Sequence, residues 1–202
     1  GDYNNKNLFF EPEELPNWVK ELRLTIIQEA TYGNTNSNSI NICFESNVIK
    51  AINQNKTVIV PVFSLGRSQE ILYIIKRMQE DGRLSTSIPI YFDGKLAFKY
   101  TDIYLNADIE IKEDMRDFLP SNLTYVSKDT RPELLEDKNV KIIVTTSGMG
   151  SYGPAQTYIT VYVQRSDALI HFTGYTAVGT MGRNIKDTPD GEIVSVAGLL
   201  IK

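Results

Sequence analysis

Apolar and polar positions follow two alternating rhythms along this chain. Residues 57–62 (TVIVPV) form a continuous apolar run, and the following residues place Ile71, Leu72, Ile74, Ile75 and Met78 at helical spacing. The pair predicts a buried strand over 58–62, a short loop carrying Gly66 and Arg67, and an amphipathic helix that packs back onto a sheet. The device recurs. Residues 88–92 (IPIYF) predict a strand and 96–105 a helix, while 141–145 (KIIVT) predict a strand, followed by the loop 146–153 and a helix from Pro154 to 164. Residues 168–172 predict another strand, ahead of the loop 174–179 and a short helix near Met181. Weaker patterns predict a strand over 23–28, a helix over 38–54 through Ile40, Phe44, Val48 and Ile52, and a polar helix over 112–118. A weak strand over 123–126 and a final strand region over 193–201 complete the series, and residues 3–20 read as polar and irregular around Pro12 and Pro16.

Strands that are continuous apolar runs and alternate with helices predict an α/β fold, a mostly parallel sheet covered by helices on both faces. In such a sheet the strand-to-helix loops gather at the carboxyl edge of the strands, where ligands bind. Three loops are expected there, within 57–78, 145–153 and 172–183.

Composition narrows the setting more than the function. The 202 residues are 42% hydrophobic and 23% charged, an ordinary globular balance, and the net charge of −4 gives no global basic field. A local basic groove remains compatible with that total. The lone Cys43 has no partner for an internal disulfide, and no apolar run approaches membrane-spanning length. A reducing, cytoplasmic setting without membrane contact is the expectation. The chain opens on Gly1-Asp2-Tyr3 without a methionine and ends inside an apolar run, so both ends are expected to be cut from something longer.

The loops carry the chemistry. Gly148, Gly150 and Gly153, with Ser147 and Met149 between them, expose backbone N–H groups ahead of a helix start, where the dipole favours anions. Gly66-Arg67 and the run Gly179-Thr180-Met181-Gly182-Arg183 add two guanidinium groups suited to phosphate. Any one loop is more simply a tight turn. Three on one edge point to a line of phosphates, hence a polynucleotide backbone. No segment matches a P-loop or GxGxxG pattern. His171, the only histidine, lies in an apolar strand and is expected to be structural; Cys43 is expected to fill a small core gap. Asp2, Glu29 and Asp93 each read alone as surface or turn carboxylates.

Taken together, the segments GDY at 1–3, EATYG at 29–33, PVFSLGRSQEIL at 61–72, IPIYFDGKLA at 88–97, TTSGMGSYGPAQTYI at 145–159 and FTGYTAVGTMGR at 172–183 resemble the β-CASP nucleases of the metallo-β-lactamase superfamily. That group includes ribonuclease J and the cleavage-and-polyadenylation endonuclease. The resemblance implies a Rossmann-like β-CASP domain over 33–183, inserted in a metallo-β-lactamase-like domain to which 1–32 and 184–202 belong. It also implies a zinc-dependent ribonuclease that hydrolyses phosphodiester bonds, with RNA held in the cleft between the domains. Asp2 would bridge two zinc ions, and Glu29 would stand near them as a catalytic-site acid that orients the ligands. Arg67, Ser147, Gly148, Met149, Gly150, Gly153, Gly179, Thr180 and Arg183 would contact single-stranded RNA through its backbone.

The chain also departs from the family. The HxHxDH zinc-binding run would precede residue 1, so this fragment, with one histidine, is expected to bind no catalytic zinc and to be inactive alone. Asn34-Thr35-Asn36 follow the Tyr-Gly turn where Arg and His are common, and Gly94-Lys95 stand where relatives carry Ser-Pro. A non-catalytic nucleic-acid-binding scaffold, an α/β domain binding a phosphorylated small molecule, and action on DNA all stay open, as does oligomerisation.

Overall fold

The structure is a computed structural model that describes residues 7–11, 14–25, 27, 38–189 and 191–201, with side chains described from 43 onward in the helix that begins at Asn38. A one-turn helix α1 (Asn17–Lys20) precedes α2 (Asn38–Asn53). Then β1 (Thr57–Pro61), α3 (Arg67–Glu80), β2 (Ile90–Asp93), α4 (Lys95–Asn106), β3 (Leu123–Tyr125) and α5 (Arg131–Glu136) alternate. They are followed by β4 (Ile142–Thr145), α6 (Gly153–Tyr162), β5 (Ala168–Ile170), α7 (Met181–Asp187), β6 (Val194–Val196) and β7 (Leu199–Ile201).

Five strands form one parallel sheet in the order β3-β2-β4-β1-β5, the α/β architecture that the apolar runs predict. Every residue of β1 and β4 is buried, because these two strands lie inside the sheet and are covered on both faces. Side-chain alternation divides them cleanly. Val58, Val60, Ile90, Phe92, Ile142 and Val144 point to the face covered by α2, α3 and α4. Ile59 and Ile143 point to the other, where Leu134 of α5 and Tyr158 and Tyr162 of α6 pack. The helices sit on opposite faces because the chain first moves from β1 outward to β2 and β3, then returns through β4 to β5. A right-handed crossover puts its helix on one face going out and on the other coming back.

Several expectations give way here. The described residues of 23–28 form no strand and Ile27 is 94% exposed, while 26 and 28 lie outside the described residues. Residues 112–118 make only a 3-10 turn, Glu113–Met115. Lys112 N–H is held by Phe9 O at 2.9 Å, and Met115 and Phe118 reach the core three residues apart without a longer helix. The 193–201 region is an antiparallel hairpin, not one strand, because Ala197 and Gly198 both take positive φ, 51° and 82°, as a two-residue primed turn requires. Cys43 is exposed and fills no core gap. Phe9, within a stretch read as polar and irregular, is 1% exposed and meets Tyr73, Tyr104 and Phe118 edge-on.

Candidate functional site

Adjacent strands β1 and β4 send their outgoing helices to opposite faces, the topology at which open α/β sheets bind ligands at the carboxyl edge. Along β1 and its exit, even-numbered residues bond to β4, with Val58 N–H on Lys141 O at 2.9 Å and Val62 N–H on Thr145 O at 2.8 Å. Odd-numbered ones face β5, where Thr57 N–H donates to Asp167 O and Ile59 O accepts from His171 N–H, both at 2.9 Å. Pro61 has no N–H to continue that side, and the β1–β5 pairing ends at Ile59 and Ile170. Residues 171–180 therefore leave the sheet as a loop.

Three loops meet above this point. Gly148 is buried against β1's exit: a methyl group there would stand 2.9 Å from Phe63 N and 3.0 Å from the Val62 carbonyl carbon. Gly174, from the loop after β5, lies on the same Phe63 ring, 3.5 Å from where its own methyl would be. The start of α7 closes the circle, with Gly182 N–H on Met149 O at 2.9 Å and Met181 N–H on Ser151 Oγ at 3.0 Å. Within the 146–152 turn, Ser147 N–H binds Tyr152 O and Gly150 N–H binds Ser147 O. Gly148 and Gly150 are buried by these contacts, while Gly153 and Gly179 are exposed. Thr180 caps α7 by accepting from Arg183 N–H at 3.3 Å.

The charges at this edge oppose ordinary helix design. Arg67 opens α3, Lys95 opens α4, Arg131 opens α5, and Arg183 is the third residue of α7. A cation at a helix N-terminus meets the positive end of the dipole and costs about 0.3–1 kcal/mol instead of stabilising. Arg67 is tied to Glu70 at 2.9 Å and Arg183 to Asp187 at 2.6 Å, each pair leaving other N–H donors of the guanidinium to turn elsewhere. Burial holds the Glu70 carboxyl above its ordinary range, with Arg67 opposing. Lys186 donates to Gly174 O at 3.3 Å, and its ammonium is pushed down, first by desolvation and then by Arg183.

Asp93 corrects a sequence expectation. It is no surface carboxylate: it ends β2 almost fully buried and takes a two-pronged bond from Arg131 at 2.7 and 3.1 Å. It also accepts from Tyr158 Oη at 2.8 Å, while its backbone carbonyl accepts Thr146 N–H at 3.1 Å. Burial, reinforced by Asp93, raises the Tyr158 phenol far above its usual value. One buried acid thus links α5, α6 and the 146–152 turn. Periodicity gave no sign of this, since α5 is a six-residue polar segment with only Leu134 buried.

Of the residues singled out from sequence, the structure gathers Arg67, Ser147, Gly148, Met149, Gly150, Gly153, Gly179, Thr180 and Arg183 at one edge of the sheet. Asp2 and Glu29 lie outside the described residues. Among the described residues no three His, Cys, Asp or Glu side chains stand close enough to hold a metal. His171 is half-buried with its ring edge-on to Phe44, and burial, then Lys186, holds its imidazole below its ordinary value. Gln69 Oε1, Thr145 Oγ1 and Thr173 Oγ1 are buried at this same edge without a hydrogen-bond partner.

Comparison with known proteins bears on this edge. The Beta-Casp domain family model matches residues 68–185, more than half of the chain. The transcription termination factor FttA of Methanosarcina mazei is 29% identical over 80% of this chain and 28% of its own length. RNase aCSPSF2 of Saccharolobus solfataricus is 28% identical over 99% of this chain and 39% of its own. Endoribonuclease ysh1 of Schizosaccharomyces pombe is 28% identical over 86% and 24%. The chain thus spans between about a quarter and two fifths of these relatives.

Proposed function

The chain belongs to the Beta-Casp domain family, within the metallo-β-lactamase nucleases, and from that premise we propose that it is the RNA-holding portion of a zinc-dependent ribonuclease. The observation that carries this reading is the set of basic residues in the first turns of α3, α4 and α7, Arg67, Lys95 and Arg183, at one edge of the sheet. In a protein of net charge −4, cations placed where helix dipoles are already positive add a local positive potential, which Glu70 and Asp187 offset in part. A polyanion is the ligand that potential suits. Arg67 and Arg183, with Lys95 at the start of α4, would run along the phosphates of a single strand; the turn from Ser147 to Gly153 and the cap at Thr180 would position it.

In the same proposal, residues 1–32 and 184–202 belong to a metallo-β-lactamase-like domain. Asp2 would be one ligand of two zinc ions, and Glu29 an acid beside them. The remaining ligands would come from other parts of the protein, because a single histidine is too few for a two-zinc centre. When bound, zinc would supply an activated water and Lewis-acid stabilisation for phosphodiester hydrolysis. The task of the described residues is to bind and orient the strand.

The test compares ligands of one charge type. Single-stranded RNA of about a dozen nucleotides should bind far more tightly than a mononucleotide, since it neutralises several contacts at once. Equal affinity for the two would overturn the reading in favour of a small phosphorylated ligand.

A further inference from the structure

The sheet edge that carries the cations also carries exposed aromatic rings. Phe63 is 40% exposed, Tyr152 77% and Tyr175 49%, and each lies in a loop at the carboxyl edge. Large apolar side chains exposed together next to charge mark a binding surface more often than a packing error. Phe63 stands at the centre. Gly148 packs at its backbone and ring edge, and Gly174 lies beside the ring, so neither neighbour has a side chain to cover it. Tyr175 follows Gly174 directly in the loop that leads to α7. Tyr152 is tied to Ser147 through its carbonyl, which accepts both the Ser147 N–H and, at 3.2 Å, the Ser147 hydroxyl. That contact anchors its backbone and leaves its ring outside.

Rings interleaved with cations match one ligand chemistry, flat bases on an anionic backbone. We propose that Phe63, Tyr152 and Tyr175 stack the unpaired bases of the strand whose phosphates the cations hold. The inference rests on the nucleic-acid reading above and adds to it. Recognition then requires exposed base faces, so the edge selects single strands over duplexes and tolerates most sequences, because every base has a π-face. An apolar protein partner would use the rings but would have no need of the cations at the same edge.

The experiment uses the full-length protein and three fluorescent probes of equal length: oligouridine, its abasic analogue with the same backbone, and a blunt duplex. The expected result is oligouridine bound roughly tenfold more tightly per stacked base than the abasic strand. Tyr152→Ser and Tyr175→Ser, both at exposed positions, should shrink that preference while leaving the abasic affinity unchanged. Phe63→Leu should do the same, with its thermal midpoint followed as a check on folding. Equal affinity for oligouridine and abasic strand, or a preference that survives all three substitutions, overturns stacking and leaves the backbone reading standing. Failure to bind any probe overturns both, and the patch is then a face for another protein.

Discussion

At the scale of single residues, Asp93 shows how a site is held without being touched. Its carboxylate is 3% exposed, and Arg131 and Tyr158 fill its acceptor positions from two different helices. Because the pair is buried, removing one charge should leave the other uncompensated. Asp93→Asn is therefore expected to lower unfolding free energy by about 3–5 kcal/mol, read from urea denaturation. A loss below about 1 kcal/mol would place the pair in the solvent-screened class. Nothing in IPIYFDG announces this role. An aspartate at a strand end before glycine has the same local pattern whether it faces water or an arginine 38 residues away.

At the scale of elements, the apolar runs of β1 and β4 and the helical spacing of α3 were legible because each element's own burial writes its period into the sequence. What stayed hidden depends on neighbours. Pro61 reads as an ordinary residue of an apolar run until β5 is seen beside it, ending its pairing where the proline lacks a donor. The hairpin of β6 and β7 was hidden because positive φ at Ala197 is a property of the turn, not of alanine. Lys95 gives a test at this scale. It opens a 12-residue helix with no acid in the first turn, an arrangement helix electrostatics disfavours. Lys95→Glu should raise stability by about 0.3–1 kcal/mol in thermal unfolding and weaken RNA binding in the same protein. A variant that gains stability without losing affinity would remove Lys95 from the binding edge.

Across the whole molecule, 25 acids against 21 lysines and arginines give no hint of an anionic ligand. The fold changes that by geometry. A parallel sheet brings the start of each following helix to one edge, so basic residues dispersed between positions 67 and 183 come to lie along the same edge. Sequence motifs located this edge, and the structure adds the rings, the buried Asp93 link and the contacts among the three loops. Whether these cations hold the phosphates of a single strand is read from the salt dependence of RNA binding by the full-length protein and by the Arg67→Ala, Lys95→Ala, Arg183→Ala triple variant. Each lost phosphate contact should flatten the plot of log affinity against log salt by about 0.7, so the triple variant should lose about 2 units of slope. A slope identical to that of the unaltered protein would contradict the account.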